Sequence, residues 1–184
     1  MKMESIAGNA KWRVEQGYGL RPTPEVMALN DEFFAIKARI RAADAALVGA
    51  SIAKVFIENP WLKRFTIKSD PTQEYDDSGG SYRCINANVT DISVVPGATL
   101  PEEFAEDGDS DSSRLEDWLL EQVEDFNGQI YDVLNEEGSY EDQKIELDRA
   151  SIQDLIGRGD VDGCDAFMRL FPDHLSVVVT EQPA

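Results

Sequence analysis

The chain has 184 residues, 42% hydrophobic and 29% charged, a globular composition that predicts one folded domain over 1–184 rather than a disordered segment. Its formal net charge is −19, and all of it sits in the second half: residues 1–100 carry 12 basic and 12 acidic side chains, residues 101–184 carry 5 and 24. Such a surface repels nucleic acid and anionic membrane and attracts basic partners or divalent cations, which excludes direct nucleic-acid binding and membrane association from the expectations. The two cysteines, Cys84 and Cys164, follow no metal spacing, and no apolar leader or spanning stretch of about 20 residues occurs, so a reduced cytoplasmic protein is expected.

Residues 1–20 hold scattered apolar side chains and three glycines without a sustained period, and read as a loosely structured arm. A helix then opens with Thr23 as cap candidate, Pro24 at the first helical position and Glu25 in the first turn. Val26, Leu29, Phe33, Ile36, Ile40 and Leu47 recur at helical spacing, giving one long helix, or two with a break at Gly49, that stops before Pro60. From Trp61 the period changes. "LKRFTIKS" and "SYRCINANVTDISVV" alternate as strands, and "DPTQEYDDSGGS" between them is rich in turn formers, so a β-hairpin is predicted.

Residues 96–112 form an acidic connection that hydrophobic burial cannot order. Ser112 or Ser113 then caps a helix whose stripe is Leu115, Leu119, Val123, Phe126, Ile130 and Val133 or Leu134, with Asn127-Gly128 as a place to kink or stop. "QKIELDR" suits a short strand, "SIQDLIGRGDVDGCDAFMRLF" two short helices, and "HLSVVVT" a closing strand before a tail at 181–184. The order predicts an α+β fold, a small and mainly antiparallel sheet packed against two longer helices.

The stretch from Glu102 to Phe126 holds eleven carboxylates against one base, Arg114. A single helix over 115–137 would be about 34 Å long and carry one acid per about 4 Å, near the roughly 3.4 Å phosphate spacing of a nucleic-acid strand. A solvated amphipathic face explains many such runs, but it normally mixes signs, because like charges four apart destabilise a helix. The candidate partner-contacting acids are Glu102, Glu103, Glu106, Asp107, Asp109, Asp111, Glu116, Asp117, Glu121, Glu124, Asp125 and Asp132. In these acids, and in those from Asp132 to Asp148, the chain resembles the acidic DNA-mimic inhibitors of phages and mobile elements, the anti-restriction and anti-CRISPR proteins. The resemblance is one of charge rather than motif and covers under half the chain. It implies a non-enzymatic inhibitor that occupies the basic groove of a nucleic-acid-binding defence enzyme.

Two other classes compete. Asp107, Asp109 and Asp111 take the first, third and fifth positions of a calcium loop, but Ser112 replaces the turn glycine and Trp118 the bidentate acid; Asp160, Asp162 and Asp165 around Gly163 fail similarly. No resident metal or other cofactor is therefore expected. For catalysis the chain offers a lone His174, no phosphate loop and no nucleophile elbow. "DQK" at Asp142–Lys144, with Asp125 or Asp132, has the shape of a magnesium-dependent nuclease site, yet so acidic a chain would repel its substrate. The "RGD" at Arg158–Asp160 reads as chance, Trp12, Trp61 and Trp118 as packing anchors, and Cys84 as a small inward hydrophobe. The remaining expectation is an accessory protein whose acidity serves solubility, with the neutral N-terminal half and its long helix forming a homodimer or docking surface.

Overall fold

The computed structural model describes residues 12–15, 19–106, 109–110, 112–135 and 138–177. The chain groups into two compact units, Met1–Ile40 and Arg41–Ala184.

In the first unit, β1 (Trp12–Glu15) pairs antiparallel with β2 (Gly19–Pro22), Trp12 opposite Pro22 and Glu15 opposite Gly19. Part of the expected arm is thus a strand pair, since "WRVE" alternates over too few residues to stand out as a period. Residues 1–11 and 16–18 lie outside the described residues. Helix α1 (Pro24–Glu58) opens on Pro24, with the Met27 N–H on the Thr23 carbonyl at 3.1 Å, and its residues up to Ile40 belong to this unit.

The second unit contains the hydrophobic core. Helix α1 runs through Gly49 unbroken, and its buried residues are Ala45, Val48, Gly49, Ile52, Ala53, Val55 and Phe56. The stripe legible from spacing is another one: Phe33, Ile36, Ile40 and Leu47 are all exposed. Gly49 is a point of contact. A Cβ there would stand 2.1 Å from the Gly163 carbonyl oxygen, and one at Gly163 would stand 2.1 Å from that of Ala46. Two backbones meet where only glycine fits.

Strand β3 (Leu62–Tyr75) turns at Asp76–Gly80 into β4 (Ser81–Val94). The hairpin is as predicted but longer: "DPTQEY" continues β3, with Tyr75 opposite Ser81, and only Asp76 to Gly80 turns. The Asp76 carboxylate accepts from the Ser78 N–H and hydroxyl and the Gly80 N–H at 2.7–2.9 Å, and Gly79 takes φ +83°. After β4, Phe104 in a 3₁₀ turn (Glu102–Phe104) is buried against Trp61 and Trp118, at ring distances of 6.1 and 5.5 Å. This aromatic anchor, with the two-residue strands β5 (Ala105–Glu106) and β6 (Asp109–Ser110), orders part of a connection that carries little apolar weight in the sequence.

Helix α2 (Ser112–Glu124) buries Leu115, Leu119 and Val123, and α3 (Asn127–Leu134) buries Ile130, Tyr131, Val133 and Leu134. The apolar stripe is as predicted, and of the two alternatives it is the early stop near Asn127-Gly128 that occurs: α2 and α3 part at Asp125–Phe126, so no single helix spans 115–137. Asn127 explains the break: its amide donates to the Ile85 carbonyl at 3.1 Å and its oxygen accepts from the Ser69 hydroxyl at 3.3 Å, pinning the start of α3 to the sheet.

Strand β7 (Gln143–Asp148) pairs with β3, giving the antiparallel order β4-β3-β7. One face carries Phe65, 5.5 Å from the Phe56 ring of α1, and Ser69 on Asn127. The other is solvated and holds the pairs Arg64–Glu146 and Lys144–Asp91 at 3.1 and 3.4 Å. Helices α4 (Gln153–Ile156) and α5 (Gly163–Leu170) are the two short helices expected. The closing strand is corrected for its first residues: Pro172–Val177 is a 3₁₀ segment with the His174 N–H on the Phe171 carbonyl, and 178–180 lie outside the described residues. The fold is α+β, as predicted.

Candidate partner-binding surface

Burying Leu115, Leu119 and Val123 turns the opposite side of α2 outward, and this side carries Asp117, Glu121 and Glu124, four and three residues apart, with Asp125 following; all four are exposed. Glu116 is half-buried, and Asp132 is exposed on α3. Beside them lies a cleft of about 720 Å³ between β4 (residues 82–88) and Leu120, Glu124, Asn127, Gly128 and Asp132.

Arg83 fixes one end of this cleft. Its guanidinium pairs with Asp132, donates to the Ser139 carbonyl at 3.0 Å and stacks over the Tyr131 ring at 5.5 Å. The long wall is an edge strand. Ile85 stands opposite Pro71, which has no N–H to give, and the Ile85 carbonyl takes its bond from Asn127 on the far side from β3. In an antiparallel ladder both backbone groups of a residue point the same way and alternate along the strand. The N–H and C=O of Arg83, Ile85 and Ala87 therefore face away from β3 along this edge.

The remaining candidates are dispersed. Glu102 is exposed on the 3₁₀ turn, and Glu103 follows it there. Glu106 in β5 lies opposite Asp109 in β6, whereas Asp107 and Asp111 fall outside the described residues. The Asp162 carboxylate serves the fold by capping α5, where it accepts from the Cys164 and Asp165 N–H groups at 2.8 and 3.1 Å. Among the described residues no three His, Cys, Asp or Glu side chains converge as a metal site requires. In the "DQK" segment Lys144 pairs with Asp91, and Asp132 is taken by Arg83. Arg158 of "RGD" pairs with Asp154 at 3.2 Å, as Arg169 does at 3.3 Å. His174 is half-buried and lines a hollow of about 400 Å³ with Lys144, Asp148 and Arg169.

Both cysteines are free thiols. Cys84 is corrected: it lies opposite Thr72 on the solvated face, half-buried, beside the exposed Asn86. Desolvation raises both thiols above their ordinary range, with Glu74 adding at Cys84 and Asp162 and Asp165 at Cys164, so neither is an activated nucleophile. Trp61 and Trp118 pack as expected, whereas Trp12 is exposed.

Sequence reasoning passed over Arg83 and took Asn127 only as a place for the helix to kink or stop. Arg83 is the only charged residue between Asp77 and Asp91, a signal the sequence does carry; nothing in the sequence marks Asn127 as a bridge rather than a helix breaker. Comparison of the chain with protein-family models, curated proteins and solved structures gives no match. Among the described residues no helix is long and apolar enough to cross a membrane.

Proposed function

We propose that this chain is a non-enzymatic interaction protein whose acidic α2–α3 surface docks on a basic, nucleic-acid-binding protein in place of nucleic acid, as a phage or mobile-element inhibitor of a defence enzyme would. The observation that carries this reading is the one-signed outward side of α2. Asp117, Glu121, Glu124 and Asp125 are exposed there, and α2 holds one base, Arg114, against four carboxylates. Like charges at these spacings cost helix stability, and a basic partner offsets that cost. The carboxylates stand in for phosphates, steering encounter and weakening with salt. The break before α3 limits the phosphate-like row to about two turns of helix, so the contact covers part of a groove rather than a long duplex.

The cleft favours an extended basic segment as the element of the partner that docks. Laid along β4, it would find the outward backbone groups of Arg83 and Ala87 and the carboxylate of Glu124.

The test is affinity capture of partners from nuclease-treated lysate at low and high salt, with E121K/E124K/D125K as control. One stoichiometric basic partner is expected, bound about tenfold or more weakly by the variant, which is about 1.4 kcal/mol. Equal binding by the variant at physiological salt rejects the proposal.

A further inference from the structure

Helix α1 carries a second periodicity. Val26, Leu29, Phe33, Ile36, Ile40, Ala43, Leu47 and Ala50 follow one another at alternating intervals of three and four residues, the first and fourth places of a heptad sustained through four repeats. Lys54, at the next first place, closes the run. A period of 3.5 rather than 3.6 keeps one seam aligned with a partner helix and marks a left-handed coiled coil. The middle of the run is exposed: Phe33, Ile36, Ile40 and Leu47 are 58, 40, 57 and 52% exposed, and Ala43 is exposed too, whereas Ala50 at its end lies beside Gly163. The buried residues of α1, Ala45, Val48, Ile52 and Phe56, lie on a different face.

The flanking charges identify the occupant. Glu32 and Arg39 precede first-place residues, while Lys37 and Asp44 follow fourth-place ones. When two identical helices lie parallel and in register, the residue at the seventh place of one heptad meets the fifth place of the partner's next heptad. That geometry sets Glu32 against Lys37 and Arg39 against Asp44 of a second copy, two attractive contacts on each side of the seam, with no like-charged pair among them. We infer that α1 forms a parallel, in-register two-stranded coiled coil with a second copy of this chain, through the seam Val26–Leu47. Phe34 and Met27 flank the seam and are left outside it.

The experiment is light scattering on the full chain after size exclusion over a range of concentrations. A mass of twice 20.5 kDa is expected. I36K/I40K, at two exposed positions, returns the monomer mass with unchanged far-ultraviolet circular dichroism. R39E weakens the dimer, and R39E/D44K, which restores opposite charges in the parallel pairing, recovers it. A43C in a C84S/C164S background forms a disulfide with its own copy on mild oxidation. The inference is overturned by a monomer at every concentration, by a dimer that survives I36K/I40K, or by a dimer in which A43C does not cross-link. A monomer that captures a different helical protein through the seam overturns it equally.

Discussion

At the scale of single residues, two glycines separate conformational freedom from packing. Gly49 faces the backbone of α5 at a distance no side chain tolerates, whereas Gly128, inside α3, has nothing within 4 Å of where a Cβ would stand. G49A should destabilise the fold by about 3 kcal/mol or slightly more, because backbone rather than a flexible side chain must yield. G128A should stabilise it by about 0.5–1 kcal/mol through the unfolded chain's lost freedom. Urea denaturation of both variants checks the pair, and a neutral G49A contradicts the contact. Arg149 shows another unadvertised role: its guanidinium donates to the Phe56 carbonyl, and at 3.4 Å to that of Asn59, closing the end of α1. R149M should cost about 1.5–3 kcal/mol, the range for hydrogen bonds from a charged donor.

At the scale of elements, the β3–β4 hairpin carries the pH dependence. Asp91 takes φ +54° where the register slips between Arg64 and Thr66, a bulge in a conformation aspartate tolerates better than most residues. The bulge delivers its carboxylate to Lys144 on the far edge strand, and that hydrogen bond and charge hold Asp91 below the ordinary carboxylate range. Asp76 is lowered by the Ser78 hydroxyl and the turn N–H groups. Both depressed groups favour folding above the ordinary carboxylate pKa, and their contribution fades as pH falls through the lowered values. D76N/D91N should thus unfold at a lower temperature than the parent at neutral pH and converge with it in strong acid; a constant gap at all pH values would refute this.

These elements also mark how far the sequence could be read. Strand alternation, a turn between the two strands and the stripe from Leu115 to Leu134 are local patterns that the sequence carries, although the turn is confined to Asp76–Gly80. The face that α1 buries did not stand out, because Val48, Ile52 and Phe56 are interleaved there with the small Ala45, Gly49 and Ala53, while Phe33 and Ile40, conspicuous earlier in the helix, are exposed. The α2–α3 break was legible at Asn127-Gly128, but its cause was not: Asn127 reaches Ile85 and Ser69, 42 and 58 residues away. Of the candidate surface, the acids on α2 were legible, and the cleft, its Arg83 anchor and its edge-strand wall were not, since all three arise from pairing across the fold.

At the scale of the whole molecule, a net charge of −19 is gathered in residues 101–184, and under the proposed function it sets stability against binding. Asp117–Glu121 and Glu121–Asp125 are like-charged pairs four residues apart on α2 and its end, each costing about 0.2–0.5 kcal/mol. E121Q/E124Q/D125Q should therefore be more stable than the parent at low salt and, if the proposed function holds, bind the basic partner less tightly. Thermal unfolding at low and high salt checks the first half, with the difference shrinking as salt screens the acids. If neutralisation leaves both stability and binding unchanged, the acids serve solubility alone.

The contact of Gly49 with Gly163 also says how relatives of this chain can be found. Surface acids can trade places with one another and an edge cleft can drift, but two backbones in van der Waals contact admit no substitute at either point. Divergent copies should keep small residues at both places, 114 positions apart, while the carboxylates between them scatter, so a spaced pair of glycines is a better fingerprint of common descent here than the charge that first draws the eye.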